Sequence, residues 1–383
     1  MFTARYIRKF SSVIGRFYKM NPPICPNIRQ WCYDKSHHKH KVCEIVNPLI
    51  KESELIIRKL PKTVEHKIAS KFKQKQEYLV PEKYLVKLFA ARIIGPEGML
   101  ILPDGQYCLE NAFGTNHLTL KWEYFSILKP KTVRKEGIYY SLLQLMSGHN
   151  YYHWIHDSLQ KIYLIKDLLP PDILYIVPAN LKSWQLHSLK LLDVNLDNLR
   201  YFSGEEVWQL EQLYYSPTNT VSGHDSTESN EWLRSVFYQK LGIHTKSSEK
   251  TLNIYISRSQ ATSRRIVNES DLLSLLDKWG FERFWLENMT LPEQIVLFSK
   301  AKSVVAPHGA GLTNLLFSQL GTNVLEIFEP NHFNSLCYWS MSESMGHNYW
   351  YMLGDRELSE SPDIYVSPYK LNQALQEISD HNL

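Results

Sequence analysis

An α/β fold with a parallel sheet is predicted for this chain, on three observations. Its 383 residues are too many for one ordinary domain and about right for two. From Thr251 onward, β-rich runs alternate with amphipathic runs of about ten residues, the pattern of βαβ units. Hydrophobic residues make up 44% and charged residues 21%, so the chain has the material for a packed core and is not of disordered composition.

The first twenty residues carry Arg5, Arg8, Lys9, Arg16 and Lys19 and no acidic residue. Phe2, Tyr6, Ile7, Phe10, Ile14 and Phe17 recur at helical spacing, which fits a helix lying on an anionic membrane. A basic tail is the competing reading. The stretch has no continuous apolar core of the kind a signal peptide needs. Residues 20–85 are polar and irregular. His37, His38 and His40 lie between Cys32 and Cys43, but no C-x2-C pair accompanies them, so no zinc site is expected. From Arg92, Gly-Pro and Asp-Gly turns divide short β-rich runs into hairpins. A helical pattern begins at Tyr151. It is followed by a strand over 172–178, a helix over 183–193, short strands over 198–216, a helix over 226–242 and a linker near 244–250.

The second half is more regular. Strands are expected at 251–257, 281–287, 303–307 and 323–328. Helices are expected at 268–280, 291–301 and 311–320, the first opened by Asn268 and closed by Gly280. Ligands of such sheets bind outside the carboxyl ends of the strands. That rule picks out Arg258, Glu287, His308 and Glu326.

The residues at those ends suggest an anion. Arg258 follows a strand, and Arg264 and Arg265 precede the next helix. Guanidinium groups bind phosphate oxygens bidentately and keep their charge when partly desolvated. His308-Gly309-Ala310-Gly311 opens a helix, whose leading N–H groups form a ready anion site. Two glycines at one turn suggest that something approaches the backbone closely. Glu326, read as lying just past its strand, is placed to accept hydrogen bonds from ribose hydroxyls. In the first half, GHNYYHWIHD sets His153 and Asp157 four residues apart on one helix face, a pairing suited to a general base. The net charge of +4 is too weak to argue for nucleic acid. An esterase is excluded because no G-x-S-x-G elbow accompanies HGAG.

NYYHWIHD, YISRSQATSRRIVNE, LPEQIVLF, HGAGLTN and VLEIF, in that order, resemble glycosyltransferase family 61 over roughly residues 85–355. The resemblance implies a GT-B-like fold, two Rossmann-like domains facing a cleft. Residues 85–245 would form the acceptor side and 246–355 the nucleotide-sugar side. Residues 1–84 would be an amino-terminal extension and 356–383 a tail with a helix. It implies inverting transfer from a UDP-sugar to a hydroxyl of a glycan or glycoconjugate, as in capsular or exopolysaccharide synthesis, with no cofactor and no fixed metal. The absence of any Asp-x-Asp agrees with this. A glycan-binding or nucleotide-sugar-binding protein without catalysis is the alternative. Carried over by motif, Asp157 and His153 would face the acceptor. Arg258, Arg264, Arg265, His308, Gly309, Ala310, Gly311, Asn314 and Glu326 would hold the nucleotide; the doubled arginine leaves open which guanidinium reaches the phosphate. Five cysteines, an odd count, and no run of about 18 apolar residues point to a cytoplasmic enzyme, with peripheral contact at the inner face of the membrane.

Overall fold

The computed structural model describes residues 23–36, 41–108, 131–244, 250–331, 333, 335–355 and 362–381. The basic amino-terminal stretch and the histidines at 37–40 lie outside them. The chain divides into two compact units, residues 1–54 with 80–222, and residues 55–79 with 223–383. No helix among the described residues is long and apolar enough to cross a membrane.

The first unit is built on a mixed sheet. Its strands include β1 (Lys83–Phe89), β2 (Thr132–Ser141), β3 (Leu174–Pro178), β4 (Leu199–Phe202) and β5 (Val207–Tyr215). Four of these are parallel, in the spatial order β5-β2-β3-β4. β1 joins β5 in antiparallel fashion, as does Arg92–Ile94, the first strand of the hairpins expected from Arg92 onward. Chain order reverses between β2 and β5, so the switch point of this sheet lies there. Tyr84, Val86, Ile176 and Leu210 are among the core residues packed against the sheet.

In the second unit every neighbouring pair of strands in the main sheet is parallel. The chain runs through α1 (Thr227–Leu241), β6 (Leu252–Ile256), α2 (Glu269–Lys278), β7 (Phe281–Phe284), α3 (Leu291–Ser299), β8 (Ala301–Pro307), β9 (Asn323–Phe328), α4 (Cys337–Ser344), β10 (Asn348–Leu353) and α5 (Pro368–Asp380). The spatial order β7-β6-β8-β9-β10 reads 2-1-3-4-5, the flavodoxin-like winding, whose switch point lies between β6 and β8. All six residues of β9 are buried, as expected of a strand covered on both faces. Gly280 ends the α2 segment at φ +71°, a left-handed conformation that favours glycine. Thr290 and Glu293 form the capping box that starts α3.

Three expectations change. Residues 1–84 are not simply an extension. Cys43–Lys51 pairs with β1 in the first sheet, and Lys62–Thr63 pairs with β10 in the second. The helix expected from Tyr151 is a π turn, His153–Ser158, followed by a 3₁₀ turn, Leu159–Ile162. The helix expected from Gly311 is a 3₁₀ segment, Ala310–Phe317. The carboxyl-terminal helix belongs to the second core. Leu371, Ala374, Leu375 and Ile378 fall at i, i+3, i+4 and i+7 and pack on Leu325 and Ile327 of β9 and their neighbours.

Candidate functional site

Each sheet brings its polar residues to the strand ends beside its own switch point. In the second unit, Arg258 leaves β6 and His308 leaves β8, the two strands that flank the reversal. The Arg258 guanidinium donates to the Ser263 carbonyl, from Nη2 at 3.0 Å. It lies flat against Gly309. A Cβ at position 309 would sit 2.8 Å from Arg258 Cζ and closer still to Nη1. Gly309 has φ 176°, extended backbone open to any residue, so the requirement for glycine is space. Gly311 is short of space for the same kind of reason, since a Cβ there would come 2.8 Å from Leu286 Cδ1. The close approach that the two glycines announced is therefore made by the protein's own side chains.

Burial and the nearby Arg264 charge push the Arg258 pKa below its ordinary value. Neither arginine forms an ion pair with a described residue. Two partly buried cations with no carboxylate in ion-pair contact favour an anion between them. Arg265 is turned elsewhere. Its backbone N–H and guanidinium donate to Asp363, with Nη2 to Oδ2 at 2.7 Å. Arg264, at φ +58°, is the residue that separates the two directions. The Ala310 and Gly311 N–H groups lead the 3₁₀ segment, where no intrahelical acceptor reaches them.

Glu326 needs correction. It lies inside β9, not past it, with 0% exposure. One carboxylate oxygen takes the His308 Nδ1 hydrogen bond and the other accepts from the Tyr349 hydroxyl. A group so enclosed does not meet ribose; it positions His308. His308 also stacks on Phe328, at 5.1 Å between centroids, and its side chain keeps 12% exposure. Asn314 is also corrected. It is buried, and its amide donates to Gln294 Oε1 at 2.8 Å and to the Gly311 carbonyl at 3.1 Å. It fastens the 3₁₀ segment to α3 rather than holding a ligand.

In the first unit, the segment after β2 carries the π turn and the segment after β5 carries Ser222. Asp157 Oδ2 lies 2.6 Å from His153 Nδ1, and Oδ1 lies 2.7 Å from His156 Nδ1. Ser222 Oγ donates to Oδ2 at 3.0 Å. Burial pushes the Asp157 pKa up, but the hydrogen bonds and charges of His153 and His156 outweigh it, leaving the carboxyl below its usual range. The Asp157 side chain is 3% exposed against 19% for His153. Of the pair expected from the sequence, His153 is thus the side chain nearer solvent and Asp157 lies enclosed behind it. In the neutral imidazole, a carboxylate that accepts from Nδ1–H leaves the lone pair on Nε2. A π turn of this kind is often found at functional sites.

Ser222 was not visible as a site residue, although it follows a strand in the loop SPTNTVSG. Nor was the clamp next to it. Asn219 accepts from Lys83 Nζ and donates to the Gln160 carbonyl, tying the loop after β5 to the turn after Asp157. Lys83 and Lys161 are both buried, and burial brings each pKa down to about 7, with the Lys161 charge adding to the lowering of Lys83. No cluster of three or more His, Cys, Asp or Glu side chains suited to a metal occurs among the described residues.

The residues assembled at the two switch points fall in one continuous match: residues 151–325 fit the family model Glycosyltransferase 61. That segment is similar to a glycosyltransferase 61 domain. The match takes in His153, Asp157, Arg258, Arg264 and the His308–Asn314 turn, and it stops one residue short of Glu326. The EGF domain-specific O-linked N-acetylglucosamine transferase of Drosophila melanogaster is 29% identical over 144 residues, 36% of this chain and 26% of that protein. The chain therefore aligns with about a quarter of that relative's length. Both similarities support glycosyltransferase activity for the matched segment.

Proposed function

We propose that the protein is an inverting glycosyltransferase that moves a sugar from a UDP-sugar to a hydroxyl of a glycan or glycoconjugate. Acceptors of this class include capsular polysaccharides and glycoproteins. The reading includes a GT-B-like fold. The observation that carries it is the seat at the second switch point, where Arg258 lies on Gly309 beside Arg264, with no ion-pair contact from the described residues. This is the chemistry a diphosphate leaving group requires.

In the proposed reaction His153 Nε2 takes the proton of the acceptor hydroxyl as its oxygen attacks the anomeric carbon. The new C–O bond forms on the face opposite the bond to the β-phosphate, which breaks and leaves UDP. Asp157 holds the imidazole and stabilises the imidazolium that forms. Arg258, Arg264 and the leading N–H groups at Ala310 and Gly311 receive the charge that develops on the diphosphate. Glu326 sets the His308 ring so that Nε2 faces the same charge. Cations of the chain thus fill the place of a metal.

UDP release from a panel of UDP-sugars and mixed acceptors tests this. Turnover is expected with at least one pair and is expected to persist in EDTA. UDP binding without turnover for any pair would favour a binding protein. Loss of activity in chelator with recovery on adding manganese would overturn the metal-independent step.

A further inference from the structure

The nucleoside half of the donor has no seat in the site described, because Glu326 is sealed inside β9. We infer that it lies along the carboxyl end of β7, with Trp285 as the platform for the base and Glu287 as the acceptor for the ribose hydroxyls. The inference rests on the UDP-sugar reading above and extends it to two residues.

The register places them. Ile256 of β6 pairs with Phe284 of β7, and the Ser257 N–H donates to the Phe284 carbonyl at 2.9 Å. Ser257 and Trp285 therefore leave the sheet side by side, one residue before Arg258. The indole is pinned there. Its Nε1 donates to Ser259 Oγ at 2.9 Å, and that hydroxyl is 3.0 Å from Ser257 Oγ. The Arg283 guanidinium covers one face, 4.2 Å from the ring centroid. No aromatic ring of the described residues covers the other face, and the side chain is half-buried. A flat ring that is already immobilised loses little freedom when a base stacks on it.

Glu287 stands two residues further along and is exposed. It makes no ion pair with a described residue, yet its charge acts on Arg258, so the carboxylate lies within electrostatic reach of the guanidinium. Its position in the winding is informative. β7 is the second strand of the unit and lies directly beside the first, β6, whose end carries the phosphate-binding arginine. In dinucleotide folds an acidic residue near the end of the strand next to the phosphate-binding turn takes the ribose hydroxyls. An ionised carboxylate has two oxygens for two hydroxyl donors. The nucleotide would then run across the end of β6, with the diphosphate on the β8 side and uridine on the β7 side.

Calorimetry on the full chain separates the two halves, with UDP and inorganic pyrophosphate as probes. Trp285→Ala and Glu287→Ala are each expected to weaken UDP binding by about tenfold or more, the scale of one stacked base or one charge-assisted hydrogen bond. Neither should weaken pyrophosphate binding. Trp285→Phe, which keeps a ring, is expected to recover most of the UDP affinity. UDP affinity within twofold of the parent in both alanine variants would overturn the inference, as would an equal loss for pyrophosphate. A parent that binds pyrophosphate but gains nothing from the nucleoside would overturn it and leave the diphosphate seat standing. A parent that binds neither probe would overturn both.

Discussion

Gly309 shows how a single missing atom builds a site. The guanidinium of Arg258 occupies the volume that a β-carbon would take, so the arginine is held by shape as well as by the Ser263 carbonyl. Gly309→Ala should therefore act like a mutation of Arg258. Both Gly309→Ala and Arg258→Ala are expected to lose about 1.5–3 kcal/mol of charge-assisted bonding, roughly tenfold or more in UDP affinity. Calorimetry checks this, and an alanine at 309 that leaves affinity unchanged would show that the guanidinium does not need that seat. Asp157 is the second case. Its folded pKa is lowered, so its contribution to stability is fully present above the unfolded value of about 3.9 and is lost as pH falls through the lower folded value. Asp157→Asn should accordingly lower the melting temperature at neutral pH, with the difference from the parent shrinking below about pH 4. A gap that stays constant down to pH 2 would show that the carboxylate charge is not what stabilises the turn.

At the level of the element, the loop after β6 sorts two adjacent arginines into different tasks. Arg265 joins Asp363, and the neighbouring Ile266 bridges Ile364, so this part of the loop anchors the segment that precedes α5. Arg264 turns the backbone through a left-handed conformation and leaves its charge beside Arg258. Arg264→Ala is expected to weaken UDP binding severalfold with little change in melting temperature. Arg265→Ala is expected to leave UDP affinity within about twofold, because its guanidinium is turned to Asp363 and not toward Arg258. Titration of both variants with UDP would expose a reversed assignment directly. The first unit uses its elements in the same way. The turn after β2 and the loop after β5 meet at Asp157 and at Asn219, because the sheet sets those two strands side by side.

At the level of the whole molecule, two sheets wound around separate switch points each deliver a cluster with its own chemistry, a hydrogen-bonded histidine in one and unpaired guanidinium groups in the other. A ligand that binds only the native state stabilises it by about 2.7 kcal/mol at a hundredfold excess over Kd. UDP is therefore expected to raise the melting temperature of the full chain. The shift should be lost in Arg258→Ala and kept in His153→Ala, whose side chain belongs to the first unit. A shift lost equally in both variants would mean that the two clusters do not act as separate binding and proton-accepting sites.

The sequence by itself determined the alternation of strands and helices after Thr251, the turn signals at Asn268, Gly280 and Gly309, and the strand-end positions of Arg258 and His308. These are local properties, written in the period of the apolar residues and in the few residues a turn tolerates. It also held the family resemblance in five ordered motifs. Only the tertiary structure decided which partner each polar group found. Glu326 falls within the strand expected over 323–328, but only the fold shows it enclosed between His308 and Tyr349 rather than turned to a ligand. His153 and Asp157 are adjacent on a helical turn in either reading. Which of them faces outward depends on His156 and on Ser222, 65 residues further along. Strand order decided the rest. Periodicity reports which face of an element is buried, but not which element lies beside it, and the switch points that gather both clusters exist only once the strands have paired.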